Sequence, residues 1–136
     1  MSRPSISIKR LGEPEFVPTT QLKFPGLFQM WAYTVGHKRL LLRRTKGHGF
    51  ATQVDILFKP VLSVHLPATL EGIEIRRVQL QELAAPPQLG TRSLSDEYGI
   101  YRVRGVNVDG HVVASVVAAE ESERDYYEPN PLMGPH

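Results

Sequence analysis

Alternation of apolar and polar positions, not a helical rhythm, runs through most of this chain of 136 residues. Ile6 and Ile8 alternate with Ser5, Ser7 and Lys9, which predicts a short strand with both isoleucines on one face. Between Gly12 and Gly26, Pro14, Pro18 and Pro25 predict a meandering loop or an edge-strand crossing, because proline has no ladder donor. From Leu27 the alternation sharpens, with Trp31, Tyr33 and Val35 on one face and Met30, Ala32 and Thr34 on the other. Gly36-His37 then separates this run from Leu40-Leu41-Leu42. A Gly-X pair between strands predicts a type II′ hairpin, glycine supplying the positive φ. Pairing Val35 with Lys38 sets Tyr33 opposite Leu40 and Trp31 opposite Leu42 on an apolar face. Thr34 then opposes Arg39, Ala32 opposes Leu41 and Met30 opposes Arg43, so the two arginines point away from Trp31 and Tyr33.

Lys46 to Gly49 reads as a flexible connection. Thr52 to Leu66 is rich in Val, Ile, Leu and Phe but contains Pro60, which predicts two short strands or one bent by a bulge. Pro67 to Gly72 reads as a turn, Ile73 to about Leu80 as a strand, Ala84 to Gly90 as a loop and Ser93 to Tyr98 as one helical turn. The strongest local signal is Tyr101 to Val108, Asp109-Gly110, then His111 to Ala119, a hairpin with a type I′ turn. It pairs Val108 with His111, Val106 with Val113 and Val103 with Val116. Valine on both faces makes this hairpin central in its sheet. The fold class is therefore all-β, an antiparallel β-sandwich or small β-barrel of about seven or eight short strands with little helix. One domain spans residues 1–119, and 120–136 form an acidic, proline-containing extended or disordered tail.

Charge changes this picture because it is uneven. The net charge is only +2, yet residues 1–59 carry ten basic and three acidic side chains, while 120–136 carry five acids against Arg124. A basic half beside an acidic tail signals an anionic partner, or a tail that folds back on the basic face. With no cysteine, the chain has no disulfide, thiolate metal site or cysteine nucleophile. Its longest uncharged apolar stretch, Val112 to Ala119, falls far short of the ~20 residues a spanning helix needs. The opening Met1 to Ile8 lacks a signal-like apolar core, and the expected location is the cytoplasm, away from membranes.

Candidate chemistry is sparse. The five histidines show neither the i, i+2 nor the i, i+4 spacing of a metal pair, and no serine elbow or phosphate loop is present, so no metal or cofactor is expected. Asp55, between Val54 and Ile56, is either a carboxylate facing a cavity, the setting of a general base, or a residue on a solvated strand face. Lys38, Arg39, Arg43, Arg44 and Lys46 cluster on one hairpin near Phe28, Trp31 and Tyr33. Single-strand binders need stacked aromatics and cations on the same face, and the expected register puts them on opposite faces. Nonspecific nucleic-acid binding is thus possible but not favoured. Asp125-Tyr126-Tyr127-Glu128 reads as a docking motif or as a merely solubilising tail.

The resulting expectation is a small non-catalytic binding or interaction module whose partner is another protein or a second copy in a homodimer. Its candidate surface is the basic hairpin 38–46. The alternative is a ligand-enclosing barrel, or an enzyme working from such a cavity, with Asp55, His65 and His111 as pocket residues.

Overall fold

The computed structural model describes residues 4–83, 87 and 95–125. Eight strands account for most of them: β1 (Ser5–Lys9), β2 (Val17–Thr19), β3 (Gln21–Thr34), β4 (Arg39–Arg44), β5 (Gln53–His65), β6 (Thr69–Val78), β7 (Gly99–Gly105) and β8 (Val108–Ser122). A 3-10 turn, Leu80–Glu82, follows β6. The strands form one sheet in the order β2-β1-β8-β5-β4-β3-β6-β7, and β7 pairs again with β8. Six strands therefore close into an irregular ring, with β1 and β2 appended outside it. The sequence expectation of an all-β, sandwich- or barrel-like fold holds. No helix among the described residues is long and apolar enough to cross a membrane.

Closure depends on β8, which serves two neighbours along one edge. Its first half, Val108–Ala114, pairs antiparallel with β7, and Val116–Glu120 pairs parallel with β1. Its other edge pairs with β5 from His111 to Ser122. Tyr101 ties the hand-over together, its hydroxyl donating toward the carbonyls of Ser115 (3.0 Å) and Ser5 (3.3 Å). The valine-rich last hairpin thus does supply the central strand. That strand also runs to Ser122, three residues into the segment expected to be tail. Residues 126–136, with the Tyr126-Tyr127 motif, lie outside the described residues, as does most of the Ala84–Gly90 loop.

Several expected turns sit elsewhere. The β7–β8 turn is Val106-Asn107, with Asn107 at φ 58, and Gly105 pairs with Val108. Asp109-Gly110 lies inside β8, with Val103 opposite Gly110. Gly110 answers a different need: a Cβ there would stand 2.1 Å from the His65 carbonyl oxygen, so only glycine lets β5 approach so closely. The β3–β4 connection is a four-residue turn, Val35 to Lys38, with the positive φ on Lys38 (52°) and not on Gly36. Gly12 to Gly26 takes the edge-strand option in part, since Pro18 lies in β2 at the end of the sheet, and β3 begins at Gln21 and passes through Pro25-Gly26 at a bulge where its register with β6 shifts. β6 likewise starts at Thr69, inside the expected turn. β5 runs unbroken through Pro60 and changes register against β8 between Val61 and Ser63, the bent-strand option.

The ring is filled by its own side chains. Phe28, Leu40, Leu42, Val54, Ile56, Phe58, Leu70, Ile75 and Tyr101 are all buried in one cluster, with Phe58 and Tyr101 meeting edge to face at 6.4 Å. Each such side chain contributes about 1.5–3 kcal/mol. A ring of about eight strands is just wide enough to hold its own side chains, and six strands enclose less. Clefts lined by described residues lie along β3, β6 and β7, beside the β3–β4 turn and beside the β7–β8 turn.

Candidate functional site

The basic hairpin divides by face. Leu40 and Leu42 point into the ring and Leu41 packs outside with Leu57 and Ala32, so strand alternation sends Arg44 inward and Arg39 and Arg43 outward. Thr34–Arg39, Tyr33–Leu40 and Ala32–Leu41 pair as the sequence predicts. A bulge at Trp31 then shifts the ladder, so Met30 opposes Leu42 and Gln29 opposes Arg43. This overturns the expected segregation for Trp31. The Arg43 guanidinium lies over the Trp31 ring at 4.9 Å, and Trp31 and Tyr33, expected on an apolar face, are exposed.

The structure neutralises most of the hairpin's charge internally. Arg43 donates through Nε and Nη2 to both oxygens of Asp55, at 2.6 and 3.1 Å, with both residues buried. The Gln53 amide adds a contact to Asp55 at 3.4 Å. Gln29, Arg43, Asp55, Glu120 and Lys9 form one row of cross-strand partners. Its two adjacent carboxylates are balanced on one side by Arg43 and on the other by Lys9, 3.6 Å from Glu120, and by Arg124. Asp55 is therefore neither a solvated surface residue nor a cavity base, but the counter-ion of Arg43.

Arg44 closes the opposite face of the strand. It donates to the Pro25 carbonyl (2.9 Å) and to Thr52, whose hydroxyl donates to Glu121 (2.7 Å), and it lies 3.8 Å from the centre of the Phe50 ring. Burial lowers its pKa from the ordinary arginine value, and Glu121 opposes that shift. Gly26 is fixed by this packing, because a Cβ there would meet the Arg44 side chain at 2.7 Å. Lys46 pairs with Asp125 at 3.4 Å. Of the five basic residues predicted to form a surface, then, Arg43, Arg44 and Lys46 have partners within the fold, Arg39 is engaged as well, and Lys38 lies in the turn.

At that turn end lies a cleft of about 310 Å³ lined by His37, Arg39, Lys59, Pro60, Ser115 and Val116. The turn is fixed against β5 by a hydrogen bond from the Val61 amide to the Lys38 carbonyl (2.8 Å). Lys59 was not singled out in the sequence, since its approach to the turn depends on β4 pairing with β5. A larger groove of about 670 Å³ lies along β3, β6 and β7, but its charges alternate across the ladder as Lys23, Glu74 and Arg104.

His65 and His111, two of the three predicted pocket residues, do come together. They are direct cross-strand partners, their rings stacked at 5.3 Å and 17°. Asp55 lies ten residues away along β5, roughly 30 Å in an extended strand, so the three form no common site. Among the described residues no group of three or more His, Asp or Glu side chains is placed to hold a metal ion. His111 is buried and its Nε2 has no hydrogen-bond partner. The groups around it are His65 on β5, Arg102 directly opposite on β7, and Asp109 on its own strand, which Arg102 grips at 2.9 and 2.7 Å. Burial lowers the His111 pKa below 6.5, His65 lowers it further, and Asp109 opposes both. Folding thus favours the neutral imidazole. Its contribution to stability is present above pH 6.5 and is lost as pH falls below that value, because the unfolded chain takes up the proton first. Urea midpoints should fall between pH 7.5 and pH 5.5, and His111→Phe should flatten that slope. An unchanged slope would assign the acid sensitivity elsewhere.

Comparison with protein-family models, with curated proteins and with solved structures found no match to this chain.

Proposed function

We propose that this chain is a non-catalytic binding module that engages a protein partner through the turn end of the β3–β4 hairpin. The supporting observation is a concentration of exposed recognition side chains on a ring whose interior is full. Trp31, Tyr33 and Val35 are 39%, 46% and 79% exposed along the end of one strand and its turn, and His37, Lys38 and Arg39 follow directly. Aromatic residues and arginine are the side chains that dominate binding energy at protein interfaces. The surface is narrower than the whole hairpin 38–46, because Arg43, Arg44 and Lys46 are engaged within the fold. The setting belonging to this reading is the cytoplasm.

A photo-crosslinking residue placed at position 35, in the turn, tests the assignment in cells. It should give a defined adduct that Lys38→Glu with Arg39→Glu abolishes, while the same residue at the exposed position 80 gives none. An adduct of twice the chain mass would make the partner a second copy. Indistinguishable patterns from positions 35 and 80 would sink the surface.

A further inference from the structure

We propose that the C-terminal segment 126–136 lies across the outer face of β3, β4 and β5, an internal strap that covers Leu41 and Leu57. This goes beyond the binding-module reading and does not depend on it. Leu41 and Leu57 point away from the ring interior, yet they are 2% and 0% exposed. Gln53, Asp55 and Arg43 share that face and are buried as well. Neighbours within a sheet do not hide a side chain's tip, and one face of an antiparallel sheet stays wet unless another layer covers it. Among the described residues, Ala32 is the apolar side chain packed on Leu41 and Leu57, and it is too small to make a layer. Trp31, Arg39, Arg43, Asp55 and Asp125, on this face or at its edge, each make a further polar or ring contact beyond those given above. The structure holds a single chain, so the cover belongs to the chain itself.

Position selects the segment. Past β8 the chain stays at this face: Arg124 reaches back to Glu120, the cross-strand partner of Asp55, and Asp125 pairs with Lys46, just beyond β4. From Lys46 back to Arg39 is seven residues, roughly 23 Å of extended chain. The eleven residues 126–136 extend to about 36 Å, enough to cross the face once. Pro129, Pro131 and Pro135 favour an extended backbone and remove three donors that a lone strap leaves unpaired. Tyr126, Tyr127, Leu132 and Met133 supply apolar surface, and Glu128 brings a carboxylate to the side of the basic hairpin. The stretch between Leu83 and Ser95 is tethered elsewhere, since Leu83 and Tyr98 pack on Val78, Ile100 and Val113 with Leu62. Leu62 lies nine residues along β5 from Gln53, roughly 30 Å away. Residues 1–3 precede Pro4, which rests against Gly99 on β7. The acidic end and the basic hairpin then serve as each other's counter-charge, while Val35 at the turn stays outside the cover.

The chain has no cysteine, so Gly134→Cys carries one nitroxide spin label on the full chain, isotope-labelled for amide spectra. The label should broaden amides of residues 39–42 and 57–59 more than those of β6 and β7 across the ring. Broadening confined to the neighbours of Asp125 and Lys46 would overturn the proposal, the more so if a label at position 90 broadens 39–42 and 57–59 instead. A spin-labelled chain without isotopes, mixed with an isotope-labelled chain without the label, should have no effect. Broadening in that mixture assigns the cover to a second copy and also overturns the strap. In a separate Leu57→Cys background, a water-soluble thiol reagent should react at least about tenfold faster once residues 126–136 are removed, because burial makes a cysteine inert. Equal rates with and without the segment would sink the assignment. Should the shortened chain fail to fold, the spin-label result on the full chain decides.

Discussion

Asp55→Ala is expected to destabilise the protein by about 3–5 kcal/mol, the cost of leaving a buried charge without its partner. Asp55 and Arg43 are 1% and 4% exposed, and the carboxylate takes two hydrogen bonds from the guanidinium. Removing it leaves the buried Arg43 guanidinium, stacked on the Trp31 ring, without its carboxylate. The removal also relieves the repulsion between Asp55 and its cross-strand neighbour Glu120, but Glu120 already has Lys9 and Arg124. Urea denaturation measures the effect, and replacing both members with apolar residues, Arg43→Met with Asp55→Leu, should restore most of the loss. A single-variant loss below about 1 kcal/mol would mean that the pair behaves as a solvated surface bridge.

Tyr101→Ala should cost a similar ~3–5 kcal/mol, for a different reason. The ring is fully buried against Phe58, and its truncation opens a cavity in the middle of the core cluster. Tyr101→Phe keeps the ring and loses only the bonds to the Ser115 and Ser5 carbonyls, about 1 kcal/mol. The same residue sets an alkaline limit. Burial pushes its pKa up to about 12, with Arg77 and the Ser5 bond opposing, so the stabilisation is complete below pH 10 and is lost as pH rises through 12. An alkaline unfolding limb in that window, absent from Tyr101→Phe, is the expected observation. Equal stability of the alanine and phenylalanine variants would show that the ring does not support the hand-over on β8.

How much of this was legible in the sequence varies with the range of the interaction. The β3–β4 register was readable from Ala32 to Thr34, where pairing is local to one turn, and it failed at Trp31, where an extra residue enters β3. That one bulge moved Trp31 to the face of Arg43, while Tyr33 stayed opposite Leu40 as expected. The Asp109-Gly110 turn failed for a related reason. The glycine was read as a turn residue, yet it is required by the His65 backbone, which is distant in sequence. The candidate site was legible as a basic cluster, and the fate of each cation was not. Asp55, Glu121 and Asp125, which engage Arg43, Arg44 and Lys46 directly or through Thr52, arrive from β5, from β8 and from beyond β8.

By itself the sequence determined an all-β chain of short alternating strands and a concentration of positive charge on one hairpin, since periodicity and charge are local properties. It also paired Thr34 with Arg39, because a tight turn sets the register of the residues beside it. Only the tertiary structure decided that six strands close into a filled ring, that His65 stacks on His111 far from Asp55, and that Lys59 joins His37 and Arg39 at one cleft. Those outcomes depend on which strands become neighbours and where bulges shift their registers. Both are set by the closure of the whole sheet, with β8 shared between β7, β1 and β5.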